Sequence, residues 1–232
     1  NTTGTDNVAI GYNAGGAAID AVYNVAIGSG CLAADADNGN TAVGYTAGAV
    51  CTGAENTLMG TQAGLTLTSG SNNLFLGNDA GRTGSPGGNI TTGSNEIVLG
   101  DENITEAHVQ VDWTVASDKR DKTDVNQLDL GLDFINQLEP VTYRWDKRSK
   151  YSDDQSITPD GTHKEEQLEG GFLAQDVEAI EAQYGYKVDD QTNLITKLSG
   201  DGQMYGIKYS KLVPMLTKAI QELSAKVEDL EK

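Results

Sequence analysis

The chain has 232 residues, enough for one or two domains, and its 34 acidic and 16 basic side chains give a net charge of −18. This acidity argues against binding nucleic acid by phosphate neutralisation and against anchoring on anionic lipid, since both need basic patches. No apolar run is long enough to predict a membrane span. The sequence starts within a repeat and without a signal-peptide pattern, so we expect a piece of a longer protein.

The composition changes sharply near residue 117. Residues 1–116 contain 20 of the 28 glycines and a single basic side chain, Arg82. Residues 117–232 contain the other 15 Lys and Arg residues. Such a change predicts a domain boundary.

A short segment recurs in the glycine-rich half. Each copy has an asparagine, an apolar run and a glycine, and the asparagines are 17, 16, 16, 17 and 22 residues apart. A fixed period predicts stacked units, and an apolar run closed by a glycine turn predicts one strand in each unit. The six copies, the last with one extra residue, are 7–11, 24–28, 40–44, 56–60, 73–77 and 95–100.

The strand of each repeat is apolar on both faces, as in Val8-Ala9-Ile10. One face can pack inside its own coil, but the other face also has to be covered, so we expect a second chain there. We therefore predict a β-solenoid or β-prism wound as a homotrimer, with a monomeric β-solenoid as the alternative. The Asn-x-Ala-apolar-Gly pattern over about residues 1–100 resembles the head repeats of trimeric adhesins and viral fibre shafts, which implies a surface-displayed stalk.

Few side chains in this half have metal or redox chemistry. Cys31 and Cys51, the only cysteines, are expected to be buried small side chains rather than a disulfide, and they lack the histidines that a zinc site would need. The acidic turn residues lack the spacing of a calcium-binding loop, so we expect solvated carboxylates. We predict no metal and no cofactor; the carboxylates considered are Asp35, Asp37, Asp79, Asp101 and Glu102.

The second half of the chain predicts short strands and helices. Apolar and polar residues alternate over 104–116, which predicts a strand. A short helix is expected over 129–138 and a polar, mobile loop over 147–168. Trp113 and Trp145 are expected in the core. Further strands are predicted at 141–145, 171–175, 193–198 and 204–208, with a helix from 176 to about 183.

The final helix, from about residue 210, carries a heptad seam. Such a stripe can be the core face of a lone helix. Because the sequence offers no later segment to cover it, we expect a three-stranded coiled coil, which matches a trimeric shaft. The seam residues, spaced alternately three and four apart, are Val213, Leu216, Ile220, Leu223, Val227 and Leu230.

Four features of the chain stand together. They are the fibre repeat, the segment Ser117-Asp-Lys-Arg-Asp-Lys122-Thr-Asp-Val125, the segment Gly171-Phe-Leu-Ala-Gln-Asp-Val-Glu178 and the heptad helix. Over about residues 113–232 this combination resembles the C-terminal intramolecular chaperone domain of bacteriophage tail spikes and tail fibres, the S74 peptidase family. Asp121 departs from the resemblance, because the family often has an apolar residue there.

The resemblance implies a domain that cleaves its own chain. Ser117 would be the nucleophile, Lys122 its general base, and the bond between Ala116 and Ser117 the one that is cut. A serine hydroxyl needs a base to accept its proton, and a lysine, with an ordinary pKa of about 10.4, serves as one only where burial favours the neutral amine. Residues five apart do not share a helix face, so the pair needs either a turn or two protomers, and the sequence leaves both open.

The predicted fold class is a mostly β, homotrimeric fibre shaft of β-solenoid or β-prism repeats, followed by an α+β chaperone domain that ends in a three-stranded coiled coil. The predicted domains are the shaft (1–103), a connecting strand to the cleavage point (104–116), the self-cleaving chaperone domain (117–208) and the coiled-coil helix (209–232).

The predicted function is that of the C-terminal part of a phage tail fibre or tail spike. Its chaperone domain would drive trimerisation and folding of the shaft and then release itself at Ala116–Ser117, as a single-turnover Ser-Lys endopeptidase. The alternative is a structural fibre or adhesin tip that is not cut and keeps the domain as a permanent trimer clamp.

The predicted partners are further copies of the chain and, through the full fibre, a host cell-surface receptor. We expect no nucleic acid and no membrane insertion. The predicted location is the virion tail fibre or spike, after folding in the host cytoplasm.

Overall fold

The computed structural model of the chain describes residues 3–17, 20–152 and 154–232. The chain divides into two compact units that interleave along the sequence, because two later segments group with the repeat region. The first unit is Asn1–Thr105, Arg144–Gln167 and Leu198–Met204, and the second is Glu106–Tyr143, Leu168–Lys197 and Tyr205–Lys232.

The repeats fold into a β-solenoid. Six strands of three residues each stack in parallel in chain order, so that each repeat forms one coil, as its period predicts. The register pairs equivalent repeat positions, for example Ala26 with Ala42. The strands are β1 (Val8–Ile10), β2 (Val25–Ile27), β3 (Thr41–Val43), β4 (Thr57–Met59), β5 (Leu74–Leu76) and β6 (Ile97–Leu99).

The core of the solenoid lies inside the coils. The central residue of each strand from β2 to β6 is buried, because alternate side chains of a strand point to opposite faces. Cys31 and Cys51 are free and buried in the same core, which confirms the prediction of two buried small side chains. The buried central strand residues are Ala26, Ala42, Leu58, Phe75 and Val98.

A ladder of buried asparagines runs along the solenoid. The backbone N–H of Asn40 donates to Asn24 Oδ1 at 2.7 Å, and that of Asn56 donates to Asn40 Oδ1 at 2.9 Å. Asn73 continues the ladder with a 3.1 Å bond to Asn56 Oδ1. Each amide therefore satisfies a backbone donor of the next coil, which explains why the repeat begins with asparagine.

The sixth coil departs from the alignment by asparagine. Asn95 lies beside the exposed Asn72, whose Nδ2 donates to Asn95 Oδ1 at 2.7 Å. The ladder position belongs to Glu96, whose N–H donates to Asn73 Oδ1 at 3.0 Å. The extra residue of this repeat therefore lies in the turn, and the three-residue strand keeps its register.

The glycine that closes each strand is required by close packing between coils. A Cβ on Gly44 would lie 2.3 Å from the carbonyl oxygen of Gly60, and its φ of +140° suits only glycine. A second left-handed position precedes each ladder residue, and there φ lies between 56° and 73°. Tyr23 and Glu55 adopt this conformation because their N–H groups donate to Thr5 O and Asn38 O, respectively, in the neighbouring coil.

The outer face of the solenoid sheet is apolar and uncovered in the single chain. The first and third residues of each strand point outward. Several of them, with exposed fractions from 44% to 71%, are exposed apolar side chains: Val8, Ile10, Met59, Ile97 and Leu99.

Two later segments complete the first unit. Lys147 Nζ donates to the carbonyl oxygen of Glu102 at 2.7 Å, and the backbone N–H of Asn89 donates to Asp201 Oδ2 at 2.8 Å. The polar loop predicted over 147–168 has internal order: Tyr151 Oη lies 2.9 Å from Asp146 Oδ1.

The second unit combines three helices with short strands. Strand β7 (Val141–Tyr143) pairs antiparallel with β8 (Glu169–Gly171), and β9 (Thr196–Leu198) pairs with β10 (Tyr205–Ile207). The helices are α1 (Leu132–Ile135), α2 (Ala174–Gln183) and α3 (Leu212–Leu230). The core contains Leu130, Phe134, Val177, Ile195, Leu212 and Met215.

A fully buried carboxylate ties α2 to β9. Glu181 Oε1 accepts the N–H groups of Leu194 and Ile195 at 2.9 and 2.8 Å. Its Oε2 accepts the N–H of Thr196 at 3.0 Å and the hydroxyl of Thr196 at 2.6 Å. These four donors replace the lost hydration, so the carboxylate is held inside the unit.

Four expectations from the sequence need correction. The strand expected over 171–175 ends at Gly171, and Ala174 and Gln175 already belong to α2. Residues 104–116 lie outside every strand, because a strand needs a hydrogen-bonding partner and this segment is exposed along its length. Trp113 is 77% and Trp145 49% exposed, so neither is a core residue. The helix expected over 129–138 is a single turn, α1. Within the described residues, no helix combines the length and the apolar character needed to cross a membrane.

Candidate active site around Ser117

Ser117 and Lys122 contact each other within one chain. Lys122 Nζ lies 2.5 Å from Ser117 Oγ and donates to it. The sequence left open whether the two residues meet through a turn or through two protomers. In the single chain they meet through a turn.

That turn is a 3₁₀ helix over Lys119–Asp121. Asp118 caps it, since its Oδ1 accepts the backbone N–H of Arg120 at 2.9 Å. The N–H of Lys122 donates to Lys119 O at 3.3 Å and closes the turn. The turn reverses the chain between positions 117 and 122, which explains how residues five apart can touch.

Asp118 and Arg120 form an ion pair on this turn. Arg120 Nη2 lies 2.6 Å and Nε lies 3.2 Å from Asp118 Oδ2. The hydrogen bond from the Arg120 guanidinium holds the pKa of the Asp118 carboxyl below its ordinary value, and the same bond raises the pKa of Arg120. The sequence analysis missed this pair, although an aspartate two residues before an arginine, at the start of a turn, is the pattern of an Asx cap.

The whole segment is exposed in the single chain. Ala116, Ser117 and Lys122 are all in contact with solvent. In this contact Lys122 Nζ donates to Ser117 Oγ, whereas a general base would have to accept the serine proton. The pair therefore has the distance that proton transfer needs, in an environment that is open to water in the single chain.

The seam residues of α3 lie on the exposed side of the helix. The exposed fraction of their side chains runs from 45% to 87% across the six positions. A neighbouring stripe of the helix, Leu212, Met215 and Ala219, is buried against the core of the second unit. The half-buried Glu222 lies beyond this stripe, and its Oε2 accepts the N–H of Leu132 at 2.7 Å.

The described residues contain no group of three or more His, Cys, Asp or Glu side chains placed to hold a metal ion. Two of the carboxylates considered in the sequence have partners in their own turns: Asp79 pairs with Arg82 at 2.5 Å, and Asp101 accepts the N–H of Asn103 at 2.9 Å.

Comparison with protein families adds the decisive observation for the second half of the chain. Residues 117–186 match the family model of the S74 peptidases, described as "Chaperone of endosialidase". This segment of 70 residues, under a third of the chain, is thus similar to the S74 chaperone domain. The comparisons with curated proteins and with solved structures return no match.

The matched segment begins at the candidate nucleophile. The family match starts at Ser117, the residue directly after the bond that the family resemblance implies is cut. The match continues through the turn, β7, β8 and α2. The residues of the Ser-Lys contact thus belong to the family segment, whereas the solenoid precedes it.

Proposed function

We propose that this chain is the C-terminal part of a phage tail fibre or tail spike. Its S74 domain assembles the chain into a homotrimer, guides the winding of the solenoid shaft, and then cuts the bond between Ala116 and Ser117. The observation that carries the proposal is the 2.5 Å contact between Ser117 Oγ and Lys122 Nζ at the first residue of the family segment.

Two uncovered apolar surfaces support assembly. One is the outward face of the solenoid sheet and the other is the seam of α3, and both expose large aliphatic side chains in the single chain. Contiguous exposed apolar surface of this kind is typical of protein–protein interfaces. Further copies of the chain would cover both surfaces at once, since the repeats and the helix lie on the same polypeptide.

We propose three chains in the assembly because the repeats resemble those of trimeric shafts. The α3 seam has β-branched residues at its a positions, as in Ile220, and leucine at its d positions, as in Leu223. In isolated parallel coiled coils this composition favours two strands. The shaft and the S74 domain would therefore set the number of chains, and the helix would add stability to that assembly.

Assembly would also activate cleavage of the Ala116–Ser117 bond. Covering the exposed pair with protein would remove water and favour the neutral amine of Lys122. Lys122 would then take the Ser117 hydroxyl proton while Oγ attacks the carbonyl carbon of Ala116. The Ala116–Ser117 peptide bond breaks, its nitrogen takes the proton from Lys122, and the resulting ester on Ser117 is hydrolysed by water to give an Ala116 carboxylate.

Replacing either member of the pair should keep the chain intact. We expect wild-type protein to yield fragments 1–116 and 117–232 on a denaturing gel and by intact mass. Ser117→Ala and Lys122→Ala should each leave a single chain of 232 residues, because the nucleophile or its base is missing. Lys119→Ala, a lysine of the same turn outside the contact, is the matched control and should be cut like the wild type.

Two results would contradict the proposed Ser-Lys self-cleavage, each in a different way. If Ser117→Ala or Lys122→Ala still cut at 116/117, the Ser-Lys assignment would be wrong. If the wild type stayed intact while forming a trimer in solution, the chain would be a permanent trimer clamp, the alternative function. The exposure of the pair in the single chain favours that alternative if assembly leaves the pair in water.

A further inference from the structure

We propose that Asp118, held by Arg120, is the positioning residue that brings Lys122 onto Ser117. The inference rests on the proposed self-cleavage and assigns roles to two residues between the members of the pair. Asp118 would act through the turn and would not touch the reacting atoms.

The spacing of Ser117 and Lys122 requires a turn between them. Ser117 and Lys122 are joined by four residues, and an extended chain of that length would hold their side chains far apart. A tight turn is needed, and the chain makes one at Lys119–Asp121. The Lys122–Ser117 contact therefore depends on whether this turn forms.

Asp118 stabilises this turn. A short 3₁₀ helix has few internal hydrogen bonds, so a side chain that accepts its first free N–H contributes much of its stability. Asp118 Oδ1 does this for the N–H of Arg120 at 2.9 Å. Asp121, the other aspartate of the turn, lies at its end, where it cannot cap the first N–H.

Arg120 holds Asp118 in place. Its guanidinium bonds both carboxylate oxygens of Asp118, with Nε 3.1 Å from Oδ1 and Nη2 2.6 Å from Oδ2. This two-point contact fixes the carboxylate in the orientation that caps the turn. The other charged groups of the segment are Lys119, Asp121 and Asp124.

The test compares cleavage rates in the full chain. Wild type and variants are made by cell-free translation, and the fraction cut at 116/117 is followed over time at a pH where the wild-type rate no longer rises. Loss of a helix cap should slow cleavage about five- to tenfold in Asp118→Ala. Asp118→Asn keeps an oxygen that can cap but loses the two-point contact with Arg120, so it should be cut only about two- to threefold more slowly than the wild type. Asp121→Ala is the matched control and should be cut at about the wild-type rate.

A double substitution tests the role of Arg120. If Arg120 acts only through Asp118, Arg120→Ala should slow cleavage in the wild-type background by about two- to threefold and have no further effect in Asp118→Ala. Assembly is measured in parallel in the uncleavable Ser117→Ala background by sedimentation. The Asp118→Ala change should leave the oligomer unchanged there, which separates positioning from a loss of assembly.

The outcomes separate this inference from the proposed function. A wild type that is cut, together with an Asp118→Ala chain cut equally fast, overturns the role of Asp118 and leaves self-cleavage standing. The same holds if Asp118→Asn is as slow as Asp118→Ala. A wild type that is never cut overturns the proposed self-cleavage, and the positioning role with it.

Discussion

Asn56 is fully buried, and both polar atoms of its side chain are hydrogen-bonded. Its Oδ1 accepts the backbone N–H and the Nδ2 of Asn73 at 3.1 and 3.0 Å, and its Nδ2 donates to Asn40 Oδ1 at 3.0 Å and Gly70 O at 2.9 Å. One side chain thus connects three successive coils. Because a one-residue slip would leave these amides unpaired, the ladder fixes the register of the stack as well as its stability.

Removing this amide should destabilise the shaft. Asn56→Ala leaves buried donors and acceptors on both neighbouring coils without hydrogen-bond partners. We therefore expect a loss of about 2–4 kcal/mol in the free energy of unfolding. The measurement is the urea midpoint of the β-sheet signal in circular dichroism, made in the uncleavable Ser117→Ala chain. Thr61→Ala, at an exposed polar residue of the same solenoid, should change the free energy by less than about 0.5 kcal/mol. Equal midpoints for the two variants would contradict a stabilising ladder.

At the scale of elements, α3 has two apolar stripes with different roles. One stripe, around Met215, is buried in the core of its own unit, and Glu222 on the same side binds the start of α1. The other stripe is the heptad seam, which the single chain leaves in water. A helix that needed only to complete a monomeric fold would have no use for the second stripe, so the exposed seam is the surface that we expect further copies to cover.

A charge on the seam should break the assembly. Ile220→Glu places a carboxylate at the centre of the expected helix–helix contact, where burying an unpaired charge is costly. We expect the uncleavable chain to sediment at three chain masses and the Ile220→Glu variant at one. Ala225→Glu adds the same group outside the seam of the same helix and should stay trimeric. A wild-type chain that sediments at two masses would instead make the seam that of a dimer, as its residue composition alone favours.

The segment 104–116 is an element that the sequence predicts as a strand and the single chain does not form. Its alternating valines predict a strand, yet Val109, Val111 and Val115 are all exposed and unpaired in the single chain. The pattern was recognised from the sequence, but a strand exists only where another strand supplies the hydrogen bonds.

At the scale of the whole molecule, the solenoid of the single chain leaves apolar side chains on its outer face uncovered. Its strands pair with segments 16 to 23 residues away, and a strand that is not yet paired during folding is exposed to aggregation. In the proposed homotrimer, the chaperone domain would raise the local concentration of the shafts and start the stack from one end.

The buried cysteines provide a readout of shaft folding. Burial raises the pKa of the Cys31 thiol to about 11 and also raises that of Cys51, so little thiolate is present at neutral pH. We expect neither thiol of the folded wild-type chain to react with a water-soluble disulfide reagent at pH 7.5, and both to react in urea.

The assembly variants connect this readout to the chaperone domain. In Ile220→Glu the thiols should react without denaturant, because under the proposed function the shaft does not fold without assembly. In Ala225→Glu, which should still assemble, they should stay protected. Protected thiols in a monomeric Ile220→Glu chain would show that the solenoid folds without assembly and would count against the chaperone role.

The sequence by itself determined the repeat, the strand in each coil and the two residues of the Ser-Lys motif, since period, glycine turns and motif spacing are all local signals. It did not predict that residues 144–167 and 198–204 group with the repeat region, because that grouping depends on contacts between segments far apart in the sequence. Only the tertiary structure decided that Glu96 rather than Asn95 continues the ladder, because strand register, and not residue identity, sets which side chain faces the neighbouring coil. It also decided that a capped turn joins Ser117 to Lys122, and that Asp118 and Arg120 neutralise each other. Ion pairs and turns of this kind depend on which residues the folded chain brings together, and the amino-acid composition does not specify that.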